Sequence, residues 1–160
     1  MTNQQMIDEG YKIRTIGLCQ PYASAMLYGK IESRWVKDGH KPSFPVGMYM
    51  IYSTKRGYTA SEIKAISGQH ASYLFHVLRD EKELPDGQPI AIGQLFNVRK
   101  FDPNKDGVVT FVDESVGKDE FKQLWCLEFT NIQRIKPFPF TGKQGVGILT
   151  EEQKKLIEVV

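Results

Sequence analysis

The sequence predicts an α+β domain, built as a small, partly open β-barrel with peripheral helices. Three observations carry that expectation. Short segments with period-two apolar patterning recur along the whole chain, helical patterning is confined to brief stretches, and strands dominate the second half. That order does not alternate strand and helix as parallel βαβ units do. At 160 residues, 41% hydrophobic and 25% charged, one domain spanning 1–160 can bury a single core without disulfides or metal. Residues 1–10 are polar and are expected to form a flexible extension.

The first strand is expected at Tyr11–Leu18. Gln20-Pro21 then opens a helix over Pro21–Tyr28, because proline lacks the N–H that a first helical turn leaves unused. Gly29 ends it. A strand at Ile31–Val36 follows, and its period of two puts Lys30, Glu32 and Arg34 on one face and Ile31, Ser33 and Trp35 on the other. Two readings of the charged face stand open. It is either a solvated surface with a weak ion network, or a pocket in which a carboxylate is kept ionised between two cations and offers hydrogen bonds to a ligand.

The polar loop Asp38–Pro45 is long enough to form a lid over such a pocket. Another strand is expected at Met48–Thr54. Helices follow at Ala60–Ile66, where Thr59 and Glu62 suit a capping box, and at Gln69–Arg79, where Tyr73, His76 and Val77 have apolar spacing. Together they make a helical insertion over Tyr58–Glu83, closed by the turn Pro85-Asp86-Gly87. Further strands are expected at Ile90–Phe101, Val108–Val112, Leu124–Lys136 and Val146–Leu149. A last helix is signalled by Thr150 with Gln153 three residues on, and by Leu156 and Ile157 beyond.

Composition narrows the function classes. A net charge of +2 permits nucleic acid without demanding it. Cys19 and Cys126 lie far apart without metal or redox spacing and are expected as buried free thiols. No segment resembles a leader or a membrane span, so a cytoplasmic protein with no membrane partner is expected. No obligate protein partner is evident.

Several motifs fail on inspection. Asp102–Asp113 carries the oxygen positions and glycine of an EF-hand loop, but a strand pattern precedes it and the twelfth position is Asp113 rather than glutamate. A hairpin-type loop is expected there. His40, His70 and His76 are not joined by other ligands in metal-binding spacing, so no metal and no cofactor are expected. No nucleophile elbow surrounds Ser24 or Ser33. Gly142-Lys143-Gln144-Gly145 lacks the upstream glycine and trailing hydroxyl of a nucleotide-triphosphate loop. It reads as a tight turn, with Lys143 available to a phosphate.

Gln20-Pro21-Tyr22-Ala23-Ser24, the apolar helix, Gly29-Lys30 and Glu32-Ser33-Arg34 together resemble the entry signature of the ASCH domain, a family of the PUA-like superfamily. Val46–Thr54, Ile92–Leu95, Trp125–Phe129 and Pro137–Val146 resemble that family's later core strands and its proline-rich closing turn, in the same order. The resemblance implies a PUA-like barrel that binds RNA or a nucleotide-like ligand, with Gln20, Tyr22, Ser24, Lys30, Glu32, Arg34, Ser53 and Lys143 as ligand-binding residues. Some relatives are amidohydrolases on acetylcytidine-like nucleosides, and a ribonuclease is a further alternative. In an enzyme, Lys30 and Glu32 would be the catalytic pair. The family pattern Gly-x-Lys-Thr-x-Glu-x-Arg is shortened here by two residues between Gly29 and Glu32, and its threonine is absent. Tyr22, Trp35 and Phe44 could stack bases beside the charged strand, although Trp35 also reads as core. A protein-interaction adaptor is the remaining reading, marked by an exposed apolar patch.

Overall fold

A computed structural model describes residues 1–18, 22–27, 31–35, 43–55, 85–100, 124–143 and 145–160. The helices expected at Ala60–Ile66 and Gln69–Arg79, the strand at Val108–Val112 and the loop Asp102–Asp113 lie outside the described residues.

The chain opens with α1 (Asn3–Asp8), β1 (Ile13–Leu18), α2 (Tyr22–Ala25) and β2 (Ile31–Trp35). It continues with β3 (Gly47–Ser53), β4 (Pro89–Lys100), β5 (Leu124–Arg134), β6 (Gly147–Ile148) and α3 (Glu151–Lys154). The six strands form one mixed sheet in the order β2-β5-β4-β3-β1-β6. Only β1 and β3 run parallel, and the other pairs are antiparallel. Among the described residues the sheet does not close on itself, with β2 and β6 at its two edges. This is the α+β, partly open barrel that the sequence predicts.

Both faces of the sheet are buried. Alternation along β1 sends Ile16 and Leu18 to one face and Ile13 to the other, while β3 splits Tyr49 and Ile51 from Met48 and Met50. The first face carries α2, whose Ala23 packs with Met26 of the following turn and with Leu95, Val98, Leu127 and Phe129. The second is covered by the chain termini: Met6 and Ile7 of α1, Phe138 and Phe140 of the closing segment, and Ile157 and Val159 beyond α3. β3 therefore reads as a nearly unbroken apolar run, as a strand covered on both faces should. Register shifts interrupt the β4–β5 ladder between Ile92 and Gln94 and between Leu95 and Asn97, and irregularities of this kind bend a sheet toward a barrel.

Within the amino-terminal ten residues, Asn3–Asp8 form α1. Thr2 caps α1 with a full capping box: its hydroxyl accepts from the Gln5 N–H, and the Gln5 side chain accepts from the Thr2 N–H. The helix ends in a Schellman pair, with Gly10 at φ +81° donating to the Ile7 carbonyl and Tyr11 donating to that of Met6. Tyr11 is thus spent on the helix stop, which is why β1 begins at Ile13. The helix is pinned to the sheet by Asn3, only 1% exposed. Its Nδ2 donates to the Asn131 carbonyl (2.6 Å) and to Gln133 Oε1 (2.8 Å), and its Oδ1 accepts from Gln94 Nε2 (2.9 Å). Each polar atom of the buried amide has a partner, so its desolvation is offset. At the other terminus the expected capping box forms as predicted, from Thr150 and Gln153.

Candidate functional site

Because β1 and β3 are parallel, their carboxyl ends emerge side by side, with Gly17 opposite Tyr52 and Leu18 opposite Ser53. Two segments meet them there. The turn at Pro85–Gln88 is tied to β3 by main-chain bonds from Ser53 to Gln88 (2.9 Å) and from Gly87 to Thr54 (3.1 Å). The closing segment reaches the same end through Phe140, whose ring meets that of Tyr52 edge-on at 5.0 Å. Between them lies an open cleft of about 300 Å³, walled by Tyr52, Ser53, Thr54 and Lys55 on one side and by Thr141, Gly142 and Lys143 on the other. Lys55 and Lys143 are exposed, and among the described residues none that walls the cleft is acidic. In open sheets, ligands collect where parallel strands end, and a cleft of this volume suits one nucleotide-sized unit.

The structure sorts the eight expected ligand-binding residues into groups. Ser53 and Lys143 both line the cleft. Ser53 is fully buried, and its Oγ accepts from the Gln88 N–H and donates to the Gln88 carbonyl, both at 3.2 Å. It therefore shapes the wall. Ser24 is buried in α2, which packs against β1 and β3, and Tyr22 begins that helix. Gln20 and Lys30 lie outside the described residues. Positions 32 and 34 stand in β2 opposite Leu127 and Trp125. Directly opposed residues of an antiparallel pair share a face. Both charged positions are thus on the face that carries α2 and the larger core cluster, and positions 31, 33 and 35 are on the other. They are level with the far end of β4, near Val98, whereas Tyr52 is level with its first residue, Pro89.

Tyr52, Thr54, Lys55 and Thr141 are additions that the sequence reading missed. The strongest of them is Tyr52. Its ring lies over Gly17, where an added Cβ would sit 2.7 Å from Cζ and Oη, and under Gly142, where an added Cβ would run into the same atoms. Its hydroxyl donates to the Lys143 carbonyl at 3.1 Å. A glycine inside a strand pattern is the signal that could have found it, since such a glycine often marks close approach of another group.

Burial raises the pKa of Tyr52, and it raises that of Tyr49 against an opposing pull from Arg14. The Tyr49 hydroxyl donates to the Pro45 carbonyl at 2.7 Å. In the unfolded chain both phenols titrate near the ordinary value of 10.0, and in the fold they do so higher. Above about pH 10 the unfolded chain has released protons that the fold still holds, so their contribution to stability is complete below that pH and is lost as pH rises. Urea midpoints should be insensitive to these groups up to about pH 10 and fall beyond it, with a shallower fall in Tyr52→Phe. A midpoint that climbs above about pH 10 would contradict the burial of these hydroxyls.

A second cavity, of about 380 Å³, lies beside α1 and is lined by Met1, Thr2, Asn3, Gln5, Asn131 and Gln133. Its lining side chains are neutral, and those of Thr2, Asn3 and Gln5 are already bonded within the helix cap and its anchor. Among the described residues no group of three His, Cys, Asp or Glu could hold a metal ion, and no helix is long and apolar enough to cross a membrane.

Solved structures share this architecture. An ASCH protein from Zymomonas mobilis matches with a TM-score of 0.57 at 18% identity, over 92% of this chain and 96% of that one. The fold is that of an ASCH domain. A tyrosine-to-phenylalanine variant of the Zymomonas protein matches at 0.55 and 17% identity, over 92% and 99% of the two chains. A serine-to-alanine variant matches at 0.55 and 18%, over 90% and 92%. No protein-family model matches the sequence, and no curated protein does.

Proposed function

We propose that this ASCH-fold chain binds RNA or a nucleotide-like ligand, with phosphate held in the cleft at the carboxyl ends of β1 and β3. The observation that carries the reading is that Lys55 and Lys143, from segments far apart in sequence, line one cleft whose described walls hold no acidic residue. Phosphate contacts of this kind position a nucleic acid whatever its sequence, and bases are then read by stacking and edge contacts. Glu32 and Arg34 stand level with the far end of β4 from the cleft, and would meet another part of an RNA strand rather than the unit bound at Tyr52. The cytoplasm is the compartment that fits such a ligand.

Affinity should fall with salt as counterions are released. Each lysine that neutralises one phosphate of a single strand contributes roughly 0.7 to the slope of log K against log salt. Titrating a short single-stranded RNA at several salt concentrations should therefore give a slope that shrinks by about that amount in Lys55→Met and again in Lys143→Met. Salt-independent binding, or slopes unchanged by both substitutions, would overturn the reading. The same protein incubated with acetylcytidine-like nucleosides and with RNA, followed by mass spectrometry, addresses the enzymes of this fold. Turnover that Glu32→Gln abolishes would replace the binding module with a hydrolase.

A further inference from the structure

We infer that Tyr52 is a positioning residue of the cleft, one that holds the Gly142–Lys143 segment in place and acts on a bound phosphate through Lys143 alone. The functional half of this inference rests on the phosphate-binding reading above, while the mechanical half does not.

Among the described residues, no backbone–backbone hydrogen bond ties residues 137–145 to the sheet. The neighbouring ties are at Lys136, which donates to Glu158, and at Gly147, where β6 begins its pairing with β1. Thr141, Gly142 and Lys143 are exposed. Phe138 and Phe140 pack on the sheet, and the contact that holds Gly142 and Lys143 beyond them is the side chain of Tyr52. Its ring is clasped between Gly17 of β1 and Gly142 of the segment, Phe140 closes on it edge-on, and its hydroxyl donates to the carbonyl of Lys143 itself. Gly142 is required because the ring occupies the space of a Cβ there. The tyrosine is in turn rigid: it is 7% exposed and stands on β3, the strand between β1 and β4. A long, flexible lysine side chain loses less entropy on binding when its own backbone is already fixed. The hydroxyl itself is spent on a carbonyl, so the phosphate is left to the ammonium group of Lys143.

Two measurements on the intact chain test this. In the first, limited trypsin cleavage after Lys143 is compared with cleavage after the exposed Lys155. Tyr52→Phe should accelerate the Lys143 cut by roughly 3- to 10-fold, the effect of one lost hydrogen bond, and leave the Lys155 cut unchanged. Equal rates at Lys143 in the two proteins would overturn the inference. In the second, a short single-stranded RNA is titrated in a double-mutant cycle. Tyr52→Phe should weaken binding roughly 3- to 10-fold in the otherwise native chain, and less than about 2-fold when Lys143→Met is already present. The same loss in both backgrounds would show that Tyr52 acts independently of Lys143, and would overturn the positioning role. If the native chain binds no RNA, the functional reading fails by itself, and the cleavage arm still decides whether Tyr52 holds the segment.

Discussion

Phe129→Ala is expected to cost about 3–5 kcal/mol of unfolding free energy, the largest effect foreseen for a single substitution in this chain. Phe129 is 1% exposed and lies on the face of the sheet that packs against α2. Its ring meets Tyr49 edge-on at a centroid distance of 6.0 Å and an interplanar angle of 84°. It also reaches toward Gly93, where an added Cβ would be 3.7 Å from its Cδ1. Truncation removes the transfer energy of the ring, forfeits the edge-on pair and opens a cavity that neighbours on three paired strands cannot fill without moving. For a chain of this size each kcal/mol lowers Tm by about 2–4 °C, so a thermal shift of roughly 10 °C is expected. A loss below about 1.5 kcal/mol in urea unfolding would mean that the α2 face is packed far more loosely than described. Phe129→Leu keeps most of the apolar volume and should cost about 1–2 kcal/mol, which separates the ring contact from the cavity.

The core of the fold was legible because strands buried on both faces leave so plain a mark. Met48–Tyr52 and Ile90–Ile92 are apolar runs, and the strands expected at Met48–Thr54 and Ile90–Phe101 emerge as β3 over Gly47–Ser53 and β4 over Pro89–Lys100. The C-terminal cap at Thr150 was legible for another reason: a capping box is a local bargain between two side chains and needs no tertiary context. The same signal stands at Thr2 and Gln5, followed by Gly10 as a stop, yet the polar surface of that segment reads as an extension. What holds α1 down is Asn3 bonded to Asn131, Gln133 and Gln94, partners over 90 residues away that no local pattern reveals. Register belongs to the same class of information. The alternation of Lys30, Glu32 and Arg34 shows that three charges share a face, but only the pairing with Leu127 and Trp125 shows which face it is. That pairing puts positions 32 and 34 on the same face of the sheet as Leu127 and Trp125. The cleft was half legible. Lys143 was marked by its glycine-rich turn and Ser53 by its place at a strand end, while Tyr52 and Lys55 gained their meaning from a parallel pairing of β1 with β3 that the chain order does not announce.

Gly17→Ala is the second large effect, expected to cost about 2–3 kcal/mol, and its value lies in what restores the loss. Gly17 sits in β1 with an ordinary backbone conformation, so the substitution meets no forbidden φ and the cost is one of space. The new Cβ would stand 2.7 Å from Cζ and Oη of Tyr52 and 2.8 Å from Cε2, closer than nonbonded carbon atoms approach. The ring cannot swing away freely, because Gly142 and Phe140 close on it from the other side. Either β1 shifts against β3 or Tyr52 leaves its seat and releases the Lys143 carbonyl. The two responses are separable. Tyr52→Phe removes only one of the three crowded atoms and should leave most of the Gly17→Ala penalty in place. Tyr52→Leu removes the distal ring altogether, so in that background Gly17→Ala should cost less than about 1 kcal/mol, a strong coupling between two directly opposed residues. Equal costs of Gly17→Ala in the native and Tyr52→Leu chains, measured by urea unfolding, would show that the glycine is required by something other than the tyrosine. The clasp that positions Lys143 would then have lost its floor.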